Sequence, residues 1–240
     1  METRIEIRKL SKRFGRLQVL RNIELTLCAG SSYALIGPNG SGKTTLLKIL
    51  LGLVSPEQGD ITFRRQSVLK RWEYRSRFGY MPQISRYPEN MSSQQIIEMI
   101  RQIRQYKGTC DMELYDAFGI RQFESRPMHT LSGGMRQKIS ACLAFMFNPE
   151  VIILDEPTAG LDPFSTEVLK EKINRSRLQG KLLLITSHIL SDLDEIISHV
   201  IYLNEGHILF QSTLEELRTR TQSKNLSQAI VTFMKENRHV

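Results

Sequence analysis

The chain has 240 residues, of which 40% are apolar and 24% charged, which excludes a disordered chain and is enough for one large or two modest cored domains. The formal net charge of +8 leaves three partner classes open: nucleic acid, an anionic membrane surface, or a nucleotide held on a basic face. The longest apolar runs, such as L-L-K-I-L-L-G-L, are too short or interrupted to span a bilayer.

In chain order, the alternation of Ile5 and Ile7, then of Ile23, Leu25 and Leu27, predicts two half-buried strands. Tyr33 to Ile36 predicts a short apolar strand, and a helix is expected from about Lys43 through Leu51. S-P-E-Q-G-D at 55–60 reads as a turn before the strand I-T-F. The stretch L-K-R-W-E-Y-R-S-R-F-G-Y, 69–80, mixes basic and aromatic residues and reads as a solvated helix edge without an RNA-binding signature. Phe78 to Met81 is a strand stopped at Pro82.

From about Met91 to Phe147 the pattern turns helical. Serine N-cap candidates precede Ile96, Ile97, Ile100 and Ile103 at helical spacing. D-M-E-L-Y-D-A-F-G is a second helix closed by Gly119, and Ser132 through Phe147 a third. After Pro149 the strand V-I-I-L, a helix near Thr166 to Arg177, the strand K-L-L-L-I-T, a short helix near Asp192 to Ile197 and the strand H-V-I-Y-L-N follow. Buried strands alternating with helices predict an α/β fold around a parallel sheet, interrupted by a helical insertion at about 84–147. Residues 1–220 are expected to form one domain. The remainder, 221–240, is a tail expected to be weakly organised beyond a helix at Thr213 to Thr219.

Residues 37–45 read G-P-N-G-S-G-K-T-T, which fits G-x-x-x-x-G-K-[ST] at Gly37, Gly42, Lys43 and Thr44. Backbone amides can surround phosphate oxygens only where no Cβ obstructs them, so Gly37, Gly40 and Gly42 suit a cradle completed by Pro38, Asn39, Ser41 and Thr45. In this pattern Lys43 reaches the β- and γ-phosphates, and the Thr44 hydroxyl is placed for Mg²⁺. V-I-I-L-D-E-P at 151–157 supplies the carboxylates such a loop needs. Asp155, at the end of an apolar strand, is a candidate for the metal side, and Glu156 for orienting or deprotonating water.

L-S-G-G-M at 131–135, just before that acidic strand, resembles the signature motif of the ABC family. Over about residues 3–212 the chain resembles the nucleotide-binding subunit of an ABC transporter. The resemblance implies a P-loop NTPase with a RecA-like core, an N-terminal antiparallel β-subdomain and a helical insertion. It also implies ATP and Mg²⁺ as ligands. Phe14 resembles the aromatic that stacks on adenine, a position more often Tyr. Gln83 in Y-M-P-Q resembles the Q-loop glutamine, which touches Mg²⁺ or water and senses the membrane partner. Asp162 in A-G-L-D resembles the D-loop aspartate, and His188 in I-T-S-H the switch histidine at the γ-phosphate. Ser132, Gly133 and Gly134 resemble the second anion site, which in this family covers ATP bound to the other copy. Met135 departs from the usual Gln.

The implied assembly is a head-to-tail pair of ATP-binding subunits beneath a separate transmembrane permease, on the cytoplasmic face of the membrane, with no nucleic acid. The open alternative is a soluble ABC ATPase acting on nucleic acid or ribosomes. Within the family, Y-M-P-Q-I-S-R-Y-P-E-N-M and the stretches around L-S-G-G-M and I-L-D-E-P resemble the ATPase of nitrous-oxide reductase gene clusters, which works with an ABC-2-type partner in copper-centre maturation. An ABC-2-type exporter of other cargo stands beside it. The chain itself is not expected to bind copper, because His129, His188, His199, His207, His239 and the cysteines Cys28, Cys110 and Cys142 show no ligand spacing. The sparse, odd cysteine count and the absence of a signal-peptide pattern in M-E-T-R-I-E-I-R fit a reducing cytosol.

Overall fold

The computed structural model describes residues 2–236. The strands β1 (Thr3–Phe14) and β2 (Leu17–Cys28) pair antiparallel, and β1 also pairs with β4 (Gln58–Phe63), which pairs with the short β5 (Gln66–Ser67). The alternation read in the sequence is the burial pattern: Ile5, Ile7, Ile23, Leu25 and Leu27 all point into the core. The predicted turn at 55–60 is shorter than expected, since β4 already begins at Gln58.

The second sheet orders β3 (Ser32–Ile36), β6 (Phe78–Met81), β7 (Val151–Asp155), β8 (Leu182–Thr186), β9 (His199–Asn204) and β10 (His207–Thr213) as β10-β9-β3-β8-β7-β6. All neighbours are parallel except β10, which returns antiparallel to β9. Every residue of β3, β7 and β8 is buried, as a parallel sheet covered on both faces requires. The two faces feed two cores. Tyr33, Leu35, Val151, Ile153, Leu182 and Leu184 pack with α1 (Lys43–Leu50) and the antiparallel sheet. Ala34, Ile36, Ile152, Leu154, Leu183 and Ile185 pack toward the helices of the other side.

The helical insertion begins at α2 (Ser93–Ile103). Its N-cap is a capping box: the Ser92 hydroxyl accepts from the Gln95 amide, and the Gln95 side chain accepts from the Ser92 amide. Ile96 is fully buried, but Ile103 is 74% exposed, because the apolar stripe outruns the surface it covers. α3 (Glu113–Ala117) ends at Gly119, which takes φ 64 as a left-handed stop. α4 (Gly133–Met146) carries the chain back to the parallel sheet, its residues from Ile139 to Met146 wholly buried. The insertion therefore shares its last helix with the core.

Three elements differ from expectation. α5 (Pro163–Leu178) starts earlier than predicted, because Asp162 caps it and Pro163 suits the first helical position. The short helix after β8 is α6 (Leu190–Leu193), ahead of the expected span. The tail is not weakly organised. α7 (Leu214–Thr221), with its own capping box at Thr213 and Glu216, leads to α8 (Leu226–Glu236). Leu226, Ala229, Ile230 and Phe233 of α8 are buried in the helical-side core, with Phe233 against the Phe210 ring at 4.1 Å. A domain boundary at 220 would cut α7. Residues 237–240, including His239, lie outside the described residues.

Candidate functional site

Three strands of the parallel sheet end together at one cleft. β3 runs into the loop 37–42, β7 ends at Asp155, and β8 ends at Thr186 directly beside Asp155 in register. Ligands of open α/β sheets gather at this carboxyl edge. The cleft holds about 470 Å³ and is lined by Asn39, Gly40, Gly42, Lys43, Thr44 and Thr45 on one side. Gln83, Asp155, Glu156, Thr186 and His188 line the other, and Leu17 and Val19 the rim.

The loop is shaped by its glycines. A Cβ on Gly37 would lie 1.9 Å from the Leu203 carbonyl oxygen of β9, so only glycine lets the loop pass that strand. Gly42, at φ 110, caps α1 without any side-chain hydrogen bond. Among the described residues the amides of Lys43, Thr44 and Thr45 thus have no helical or capping partner beside the cleft, where the positive end of the helix dipole also lies. The Lys43 ammonium donates to the carbonyls of Gly37 at 2.6 Å and Pro38 at 3.0 Å. Burial lowers its pKa, opposed by the nearby Glu156 and Asp155 carboxylates. Pro38 and Ser41 stabilise the loop from behind: the Ser41 amide donates to the Pro38 carbonyl, and the Ser41 carbonyl accepts from Gly206.

The carboxylates are both buried, Asp155 9% and Glu156 8% exposed. Asp155 Oδ1 accepts from the Thr186 hydroxyl at 2.5 Å, and its other oxygen accepts no hydrogen bond among the described residues. Glu156 takes φ 54, a left-handed conformation that costs a non-glycine residue on the order of 1 kcal/mol or more. Its amide donates to the Thr186 carbonyl at 3.1 Å, which holds the strained turn. Glu156 Oε2 accepts from the His188 amide at 3.1 Å, and His188 Nε2 stands 3.4 Å from Oε1. The arrangement sets phosphate-binding donors opposite a buried pair of carboxylates, one fixed by a threonine and one by a histidine. Such a site can hold a polyphosphate and activate water against it.

Several predicted residues lie outside this cleft. Phe14, 49% exposed, sits at the tip of the β1–β2 hairpin with Lys12 Nζ 4.9 Å above its ring. Leu17, its cross-strand partner, is the residue that lines the cleft. Ser132 caps α4, its hydroxyl accepting from the Met135 amide at 3.2 Å. A Cβ on Gly134 would come within 2.9 Å of the Gly160 carbonyl, which brings the L-S-G-G turn against the A-G-L-D loop. Asp162 accepts from the amide and hydroxyl of Ser165 and pairs with Lys138 Nζ at 2.7 Å. Those bonds, the Lys138 ammonium foremost, hold its carboxyl well below the usual range. Ser132, Gly133, Gly134 and Asp162 thus form a second group away from Lys43 of the same chain. Met135 is half-buried and packs against the helical-side core, which accounts for an apolar residue there.

Sequence reasoning missed Thr186, Leu17 and Val19. Thr186 was visible as the last residue of the strand before Ser187 and His188. Leu17 and Val19 share one face by their spacing of two.

The family described as ABC transporter matches residues 20–159. Among curated relatives, a lantibiotic transport ATP-binding protein of Streptococcus pyogenes is 31% identical over 89% of this chain and 95% of its own length. A Nod factor export ATP-binding protein of Cupriavidus pinatubonensis is 29% identical over 89% of this chain and 67% of its own length. A solved ATP-binding subunit of an ABC transporter superposes with a TM-score of 0.87 at 27% identity, covering 95% of this chain and 98% of that one. A dimeric bacterial ABC transporter cassette shares the fold, with a TM-score of 0.78 at 21% identity over 88% of this chain and 98% of its own. Motifs, fold and relatives agree: the chain belongs to the ABC transporter family, as an ATP-binding and ATP-hydrolysing cassette.

Proposed function

We propose that the chain is the energising subunit of an exporter, in which two copies close head to tail around ATP beneath a separate permease. The observation that carries this reading is the split of the predicted residues into two groups on one chain. Lys43, Thr44, Asp155, Glu156 and His188 gather at the cleft, while Ser132, Gly133 and Gly134 sit elsewhere beside Asp162. A second copy supplies the missing face. Its Ser132 hydroxyl and glycine amides, at the start of α4, complete the anion site over ATP held on the first copy.

In this reading the loop amides and Lys43 bind the phosphates, and the Phe14–Leu17 hairpin tip meets the base. Thr44, Gln83 and Asp155 present oxygen donors into one cleft, a set that fits Mg²⁺, whose charge offsets that on the β- and γ-phosphates. Glu156 accepts a proton from water as its oxygen attacks the γ-phosphorus and the bond to the β,γ-bridging oxygen breaks. His188, held to Glu156, faces the transferring group. ATP favours the closed pair; hydrolysis removes the shared ligand and the pair opens.

No helix among the described residues is long and apolar enough to cross a membrane. The chain in this reading borrows a membrane partner, docked near Gln83 and α2, and sits on the cytoplasmic face. Relatives named for lantibiotic transport and Nod factor export support export as the direction. The narrower reading, service to nitrous-oxide reductase maturation, rests only on stretches such as 86–90 between the motifs. A deletion strain with a normally active nitrous-oxide reductase rejects it and leaves the ATPase reading standing.

The test is Glu156→Gln. The amide keeps the shape and loses the base, so ATP binding persists while turnover nearly vanishes. Gel filtration then shows a dimer with ATP and a monomer without it. Wild-type turnover in this variant rejects the role of Glu156, and a monomer under saturating ATP rejects the paired arrangement.

A further inference from the structure

The net charge of +8 is not spread evenly, and the ATP cleft does not account for it. Residues 64–77 carry six arginines and lysines against one carboxylate, Glu73, a net +5 in fourteen residues. They form the β4–β5 turn and the single 3₁₀ turn Glu73–Arg77 that precedes β6, the edge strand of the parallel sheet. Arg64 and Arg77 both pair with Glu150, which also holds Arg4, so that one carboxylate faces three guanidiniums. Arg65, Lys70 and Arg71 are exposed and make no ion pair among the described residues. A concavity of about 400 Å³ opens beside Arg64, Arg71 and Arg77.

The same strip exposes Trp72 to 70%. Tyr74 donates to the Leu50 carbonyl and Arg75 to the Gly52 carbonyl, which pins the strip one residue from Leu53, itself 62% exposed. An exposed tryptophan among unpaired cations beside an exposed leucine is the composition of a membrane-interface contact: the indole sits at headgroup depth, and the cations meet lipid phosphate. Single-stranded nucleic acid calls instead for several exposed aromatic faces in succession. Here only Trp72 is fully presented, since Tyr74 is half-buried and hydrogen-bonded.

We propose that the strip 64–77 docks on an anionic phospholipid surface, with Lys70 and Arg71 neutralising headgroup phosphates and Trp72 entering the interface. This contact shares no residue with the ATP cleft, so its failure leaves the ATPase reading untouched.

The test is co-sedimentation of the full chain with phosphatidylcholine vesicles and with equimolar phosphatidylcholine–phosphatidylglycerol vesicles. Binding is expected only to the anionic vesicles and to fall as salt rises. The double variant Lys70→Gln/Arg71→Gln is expected to bind about 30-fold more weakly, roughly fivefold per removed charge. Trp72→Ala also weakens binding. The control Lys224→Gln/Lys235→Gln, on exposed positions of the C-terminal region, removes the same net charge and keeps wild-type binding. All these residues are on the surface, and unchanged ATP turnover reports an intact fold. Equal binding to both vesicle types, or equal loss in the control, overturns the proposal. So does binding to a single-stranded RNA, with none to anionic vesicles, that the double variant abolishes.

Discussion

His188 holds both carboxylate oxygens of Glu156: its amide donates to Oε2 at 3.1 Å, and its Nε2 stands 3.4 Å from Oε1. The residue just past β7 and the residue two past the end of β8 therefore act as one unit. The His188→Ala variant keeps the amide contact and loses the ring. ATP affinity is expected to stay within a few fold, while turnover falls by about 10²–10³, the usual cost of removing one polar group that faces the transition state. Steady-state hydrolysis alongside nucleotide binding checks this; a matching loss of affinity contradicts it.

Lys43 lies between the loop carbonyls and the buried carboxylates. Replacing it with Ala removes a charge-assisted contact to phosphate worth about 1.5–3 kcal/mol in binding, with a larger loss in the transition state. Equilibrium titration with ATP is expected to show about 10- to 150-fold weaker binding, and hydrolysis to disappear. Unchanged hydrolysis rejects the cradle.

His199 opens β9, with its ring 4.7 Å from the buried Tyr33 ring and Nδ1 2.8 Å from the Ser198 hydroxyl. Burial lowers its pKa from 6.5, partly offset by Glu216. A base with a depressed folded-state pKa takes its proton first in the unfolded chain, so stability is intact above pH 6.5 and declines as pH falls toward the folded value. Thermal midpoints measured downward from pH 7 are expected to fall less steeply for His199→Gln than for the wild type. Parallel slopes refute the assignment.

Leu226 is fully buried at the start of α8, and its amide donates to Asp194 at 2.9 Å. Leu226→Ala is expected to cost about 2–5 kcal/mol of folding stability through the lost apolar contacts and the cavity left behind. Urea unfolding measures it. A loss under about 0.5 kcal/mol, typical of surface positions, shows that α8 is not part of the core.

The elements that carry the cleft were legible in the sequence alone. A phosphate cradle needs glycines at fixed spacing ahead of a lysine and a hydroxyl, and a strand buried on both faces needs an unbroken apolar run. Both demands are local, so Gly37 to Thr45 and Val151 to Glu156 could be read directly. The antiparallel pair Ile5–Ile7 and Ile23–Leu27 was legible for the same reason, through its period of two.

Other contacts depend on neighbours distant in sequence. Thr186 became a partner of Asp155 through the register of β7 and β8, and Leu17 rather than Phe14 reached the cleft through the pairing of a hairpin. Lys138 finds Asp162 24 positions away, which makes that aspartate a helix cap and an ion-pair partner within the chain. The segment after Gln222 is mostly polar outside Leu226, Ala229, Ile230 and Phe233, and its helical stripe has value only against a surface. Phe210, Tyr202 and Asp194 provide that surface, and none of them adjoins the segment in sequence. Local patterns fix which residues can form an element; burial against a remote partner fixes whether the element is held there.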